Sequence, residues 1–278
     1  ISRRGCLMRD NRPIGIFDSG IGGLTVAKAI NNLLPNEQLV YFGDTAHFPY
    51  GDKSPESIEL YSEKISNFLL AQNCKAIVIA CNTASSLGRK KVLEVLPSDI
   101  PLVDVIAPVA NFFKSTKSEV AGVIATKGTI GSGVYREFIN KINPKVEVKS
   151  LATPLLASMI EEGFFNNTIS ATVIREYLSH EILKDIDTLI LGCTHYPIIE
   201  NEILKYYNQC SKTVRVLNSA KIVAQEVKTR LISKNMINDN KGGVNHHFFV
   251  SDFTNSFEKS TKIFFGDQLR LEKLNLWK

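Results

Sequence analysis

The sequence predicts an α/β protein made of two similar doubly wound domains, the product of an internal duplication. Short β-branched runs bounded by turn residues read as buried parallel strands, and amphipathic stretches alternate with them. The strand series then recurs along the chain at a nearly constant interval, which is the signature of a repeated unit.

The first series comprises Pro13 to Phe17, Gln38 to Gly43, Ala76 to Ala80 and Pro101 to Val105. The second comprises Val120 to Ala125, Val146 to Ser150, Thr188 to Gly192 and Val214 to Asn218, displaced by about 107 to 113 residues. Between strands, Ser54 to Gln72, Ile169 to Leu183 and Pro197 to Tyr207 carry apolar residues at three-and-four spacing. Ser54-Pro55-Glu56 is a helix-start signal. These offsets divide the chain into a first domain, residues 13–106, and a second, residues 107–217. The remainder, 218–278, matches no third copy. Its helix-like Ala220 to Ser233, its polar turn from Asn238 to Gly243 and its strand-like His247 to Val250 are too few for a separate core, so it returns to the first domain. Residues 1–12 read as an N-terminal extension or cloning remnant with no role in the fold.

Composition narrows the function classes. With 44% hydrophobic and 22% charged residues, the chain resembles an ordinary soluble protein able to bury a large core. Its net charge of +5 comes from lysines scattered among acids, without the basic runs that mark a nucleic-acid surface. No apolar stretch approaches a membrane span, and no apolar region follows the basic start, which points to the cytosol. Five cysteines at irregular spacing argue for free thiols rather than a disulfide framework.

Ligands of doubly wound sheets bind beyond the carboxyl ends of the strands, and the polar clusters of this sequence lie there. The first strand runs into Phe17-Asp18-Ser19-Gly20-Ile21-Gly22-Gly23, whose glycines and following helix N-terminus offer N–H groups to an anion. Asp44, about 20 residues further on, raises a dinucleotide alternative, but Thr25 stands where the fingerprint needs Gly or Ala. The matching loop of the second half, Ala125 to Ser132, contains Thr126 and Thr129 and reads as a second hydroxyl-rich anion loop. Gly43 to Gly51 forms a long polar loop whose Pro49-Tyr50-Gly51 segment could present backbone amides.

One chemical phrase is written twice: Ala80-Cys81-Asn82-Thr83 and Gly192-Cys193-Thr194-His195, each closing a strand. Both cysteines are expected where a helix begins, a placement that favours a thiolate. Two such groups facing each other form a base and an acid that exchange roles with the direction of proton transfer. An isolated cysteine is more often a small buried hydrophobe, which is the reading for Cys74 and Cys210. Cys81, Cys193 and His195 make an untidy zinc set without a paired C-x-x-C, so no metal is expected. Asp18 can approach Cys81, and His195 can reach the opposite side of the cleft. Ser19, Asn82, Thr83 and Thr194 supply donors suited to a carboxylate, while Glu161 or Glu162 could meet an ammonium group.

Four segments together resemble the glutamate racemases of the aspartate/glutamate racemase superfamily: Gly15 to Gly23, Gly43 to Gly51, Ala80 to Ala84 and Leu191 to Pro197. The resemblance covers Pro13 to about Phe265. It implies cofactor-independent interconversion of L- and D-glutamate, D-glutamate supply for peptidoglycan in the bacterial cytoplasm, an active site between two α/β domains, and a homodimer. It places the catalytic cysteines on Cys81 and Cys193, with Asp18 and His195 beside them. Substrate-binding pairs fall on Asp18-Ser19, Tyr50-Gly51, Asn82-Thr83 and Thr194-His195, and the family's glutamate falls on Glu161. A racemase for another acid, such as aspartate or a hydantoin, and a non-catalytic protein that closes on an anion remain the competing readings.

Overall fold

A computed structural model of the chain describes residues 10–239, 243–253, 265 and 271–277. Expectations for residues 1–9 and for 240–242 of the polar turn lie outside the described residues.

The first strands and helices are β1 (Ile14–Asp18), α1 (Leu24–Leu33), β2 (Leu39–Gly43), α2 (Pro55–Ala71), β3 (Ala76–Ile79), α3 (Asn82–Leu87), α4 (Arg89–Val95) and β4 (Leu102–Asp104). After α5 (Ala107–Asn111) come β5 (Val120–Ala125), α6 (Lys127–Gly131), α7 (Val134–Ile142), β6 (Glu147–Ala152), α8 (Pro154–Glu161), α9 (Thr168–Leu178) and β7 (Thr188–Gly192). The chain continues through α10 (Glu200–Gln209), β8 (Arg215–Leu217), α11 (Ser219–Ser233), β9 (His247–Val250) and β10 (Leu271–Lys273).

All strand pairs are parallel. The order β2-β1-β3-β4 in the first sheet recurs as β6-β5-β7-β8 in the second. This shared winding puts β3 and β7, the strands that end in the two cysteine phrases, in equivalent places. Because helices cover both faces, β1, β2 and β7 are buried along their whole lengths, which explains their unbroken apolar runs. Two parallel-sheet α/β domains therefore form the molecule.

The segment after β8 extends the first sheet. β9 pairs with β2, β10 pairs with β9, and α11 packs against α1. One apolar cluster runs from Ile14 and Val78 through Ile106, Val109 and Phe113 to Val123 and Ile139, so the two domains share packed surface.

Local chemistry sets several boundaries. Ser54 accepts from the Ser57 N–H at 3.3 Å and Pro55 takes the first turn, which starts α2 at the sequence signal. The expected helix Ile169 to Leu183 ends early: α9 stops at Leu178 and a 3-10 turn covers Glu181–Leu183. The expected helix from Pro197 also divides, a 3-10 turn at Tyr196–Ile199 preceding α10. β10 had no sequence signal, being short and mostly charged. No helix among the described residues is long and apolar enough to cross a membrane.

Candidate active site

The end of β1 places Asp18 beneath the glycine loop. Its Oδ2 accepts the Gly20 and Gly23 N–H groups, each at 3.0 Å. The chain's own carboxylate thus takes N–H groups that the sequence reading offered to a ligand anion. Asp18 Oδ1 accepts the Thr194 hydroxyl at 3.2 Å, tying the first domain to the loop after β7.

Cys81 caps α3, and its sulfur accepts the Ala84 N–H at 3.4 Å. The thiol donates to Ser19 Oγ at 3.7 Å. Burial, and then the Asp18 charge, push the Cys81 thiol up to about 12 against the ordinary 9.0. The helix start was expected to favour a thiolate; desolvation outweighs that contribution, so the resting group is the protonated thiol.

Cys193 ends β7 but starts no α-helix. Its carbonyl accepts the Tyr196 N–H at 3.1 Å as the chain enters the 3-10 turn, a correction to the expected helix start. The Cys193 sulfur lies 3.6 Å from His195 Nδ1, and His195 Nε2 is bonded to Glu161 Oε2. Burial opposes a charge on His195, yet the Glu161 carboxylate and the Cys193 sulfur lift its pKa well above the usual histidine value. These two groups favour the charged ring, in which Nδ1–H can donate to the Cys193 sulfur. Glu161 was expected to meet an ammonium group; its carboxylate is instead committed to His195. Glu162 is exposed at the end of α8.

Both thiols line a narrow cavity of about 20 Å³, room for about one water molecule. From the first domain come Ser19, Tyr50, Gly51, Asn82 and Thr83; from the second come Thr126, Thr194 and His195. Asp18, Thr129 and Glu161 stand one layer behind this wall, bonded to Thr194, Thr83 and His195 respectively. Thr126 Oγ1 caps α6 and lies 2.9 Å from Thr83 Oγ1, so the expected anion loop spends its hydroxyls on the domain boundary.

Close approach of the domains depends on two glycines. A Cβ on Gly22 would lie 2.4 Å from His195 Nδ1, and one on Gly51 would lie 2.6 Å from Thr126 Cβ. A larger open groove, about 550 Å³, lies between α9 and α10, but neither thiol reaches it.

Pro49 of the expected loop segment lines the cavity too, and so do Phe48 and Ala157, which were not singled out because apolar side chains carry no chemical signal in a sequence. Tyr135 was missed too; its hydroxyl reaches Asn82 from the other domain. Asp44 serves no ribose: it accepts hydrogen bonds from Tyr50, Ser251 and Trp277. Cys74 and Cys210 are free and lie outside the cavity. Among the described residues no three His, Cys, Asp or Glu side chains converge as metal ligands.

Comparison with known proteins agrees with this fold. Residues 14–227 match the family model for Asp/Glu/Hydantoin racemase. The chain is 42% identical over 259 residues to a glutamate racemase of Geobacter metallireducens, covering 93% of this chain and 94% of that protein. The crystal structure of the Francisella tularensis glutamate racemase in complex with D-glutamate superposes with a TM-score of 0.88 at 40% identity, covering 96% and 99% of the two chains. The glutamate racemase isoform RacE1 of Bacillus anthracis gives a TM-score of 0.89 at 35% identity, again over 96% and 99%. The chain belongs to the Asp/Glu/hydantoin racemase family and, within it, to the glutamate racemases, making it an amino-acid racemase and hence an isomerase.

Proposed function

We propose that the protein interconverts L- and D-glutamate by a two-thiol proton transfer between Cys81 and Cys193, without a cofactor. The observation that carries this reading is that both thiols, from the ends of equivalent strands in two sheets, line one cavity. One sulfur, as thiolate, takes the Cα proton; the other, as thiol, delivers a proton to the opposite face. Ser19, Asn82, Thr83 and Thr194 are placed to donate to the α-carboxylate, and Asp18 and His195 act beside the sulfurs. A substrate ammonium arriving near Cys81 favours its ionised form, countering the burial that holds the thiol neutral. The 20 Å³ cavity must open to admit glutamate, which fits a division into domains 13–106 with 218–278 and 107–217.

The same reading assigns the product D-glutamate to peptidoglycan synthesis in the cytoplasm, by a homodimeric enzyme with neither nucleic acid nor membrane as partner. The test is polarimetry with each glutamate enantiomer and no added cofactor, repeated in deuterated water. Solvent deuterium is expected at Cα of the product. Cys81→Ser and Cys193→Ser are each expected to lower kcat by about a hundredfold or more. Full activity in both single variants would sink the mechanism, and faster turnover of aspartate would move the substrate assignment.

A further inference from the structure

The loop between β2 and α2 brings Tyr50 and Gly51 to the cavity, and it is fastened by residues from the unduplicated end of the fold. Its anchor is Asp44, a fully buried carboxylate. Asp44 Oδ2 accepts the Tyr50 hydroxyl at 2.7 Å. Asp44 Oδ1 accepts the Ser251 hydroxyl at 2.7 Å and the Trp277 indole N–H at 3.1 Å. His47 Nδ1 lies 2.9 Å from Oδ2. A buried carboxylate is tolerated only when donors surround it, so these donors from separate segments hold one another in place. The backbone is clasped as well: the Ala46 N–H donates to Ser251 Oγ at 2.9 Å, and the Asp252 N–H to Thr45 Oγ1 at 2.9 Å.

Ring contacts close the arrangement. His47 stacks on Tyr61 at 4.2 Å and meets Trp277 edge-on at 4.5 Å. Trp277 therefore reaches the active-site loop twice, through its N–H on Asp44 and through its ring on His47.

We propose that Trp277, acting through Asp44, is a positioning residue that fixes Tyr50 and Gly51 against the substrate. This rests on the glutamate reading above and gives the segment after β8 a part in it. Tyr50 and Gly51 line the cavity, and the Tyr50 hydroxyl proton is engaged by Asp44 Oδ2 rather than by either sulfur, so loosening them weakens binding of ground and transition states alike. The signature is a raised KM at nearly constant kcat.

Trp277→Phe removes the N–H and keeps a ring beside His47. KM for both enantiomers should rise about three- to tenfold, with kcat within about twofold and the thermal midpoint little changed. Trp277 is the chain's one tryptophan, so its fluorescence gives a second readout that leaves the loop untouched. In Cys81→Ser protein, titration with D-glutamate should change that fluorescence saturably. A wild-type KM in Trp277→Phe, or a loss confined to kcat, overturns the proposal. Should that variant not fold, a flat tryptophan signal at glutamate concentrations shown by calorimetry to saturate the Cys81→Ser protein overturns it instead. Failure of the wild-type chain to racemise glutamate would refute the function; an active wild type matched by Trp277→Phe refutes only the positioning role.

Discussion

The Tyr135 hydroxyl, on α7 of the second domain, donates to Asn82 Oδ1 of the first at 2.6 Å, and Asn82 Nδ2 is buried without a hydrogen-bond partner. Burial holds the Tyr135 phenol far above its usual range, so it stays a proton donor. The amide oxygen is thereby committed across the boundary, and the amide nitrogen beside Cys81 is the donor that the proposed mechanism gives to the substrate carboxylate. An unpaired buried donor costs stability in the free protein, a cost that substrate binding as proposed would relieve.

Tyr135→Phe should free the Asn82 amide to turn. Loss of one such hydrogen bond, about 1 kcal/mol, corresponds to a KM for glutamate about fivefold higher, with a smaller change in kcat. Initial-rate measurements on both enantiomers check this, and an unchanged KM contradicts it.

Asp18→Asn should lower the Cys81 pKa from about 12, though only in part, because burial is the larger cause and remains. Since the folded value lies above the ordinary 9.0, this thiol contributes stability that is present below pH 9 and lost as the pH climbs towards 12. Difference absorbance of the thiolate, with Cys81→Ser as the blank, gives the midpoint. No downward shift in the variant would remove Asp18 from the electrostatics of the site.

Glu161→Gln should drop the His195 pKa, since it removes the carboxylate that outweighs burial. A histidine whose folded pKa is raised stabilises the fold fully below its unfolded value, about 6.5, and that contribution fades as pH rises through the elevated folded value. Thermal midpoints of the wild type should therefore fall across the alkaline side, and those of the variant should not show that step. Nuclear magnetic resonance of labelled His195 reads the titration directly.

Gly22→Ala should reduce kcat/KM by about tenfold or more while the protein still folds. The added methyl would press on His195 Nδ1 at 2.4 Å and Thr194 Oγ1 at 2.7 Å, displacing groups that must stand close to the substrate. Gly131→Ala is the control: nothing lies within 4 Å of its Cβ position, and alanine favours helix α6 by up to about 1 kcal/mol. Equal activity in both variants would contradict the packing argument.

Much of the fold was legible because parallel strands buried on both faces leave unbroken apolar runs. Val120 to Ala125, Thr188 to Gly192 and His247 to Val250 read residue for residue as the strands they form. Errors gathered where local and tertiary terms compete. Pro197 suggested a helix start, but the chain needs a tight turn to bring His195 back to the Cys193 sulfur, and α10 begins only at Glu200. β10 exists because β9 offers it an edge, a cause that lies outside its own residues.

The residues around the cavity were visible as short motifs, since each loop carries its polar side chains together. Their partners were not. Tyr135 lies 53 residues from Asn82 and Trp277 lies 233 from Asp44, so no window of sequence contains either pair. Charge balance was hidden for the same reason: the loss of water around Cys81 depends on closure of the cleft, which no spacing reports.

The two sulfurs have unlike neighbours, Ser19 and the Asp18 charge at Cys81, His195 and Glu161 at Cys193. Enantiomers of an amino acid have equal free energies in water, so the racemisation equilibrium constant is one. The ratio kcat/KM must then be the same in both directions, whatever the enzyme does. Unequal surroundings can appear only as matched inequalities, with the enantiomer that binds more tightly turning over more slowly by the same factor.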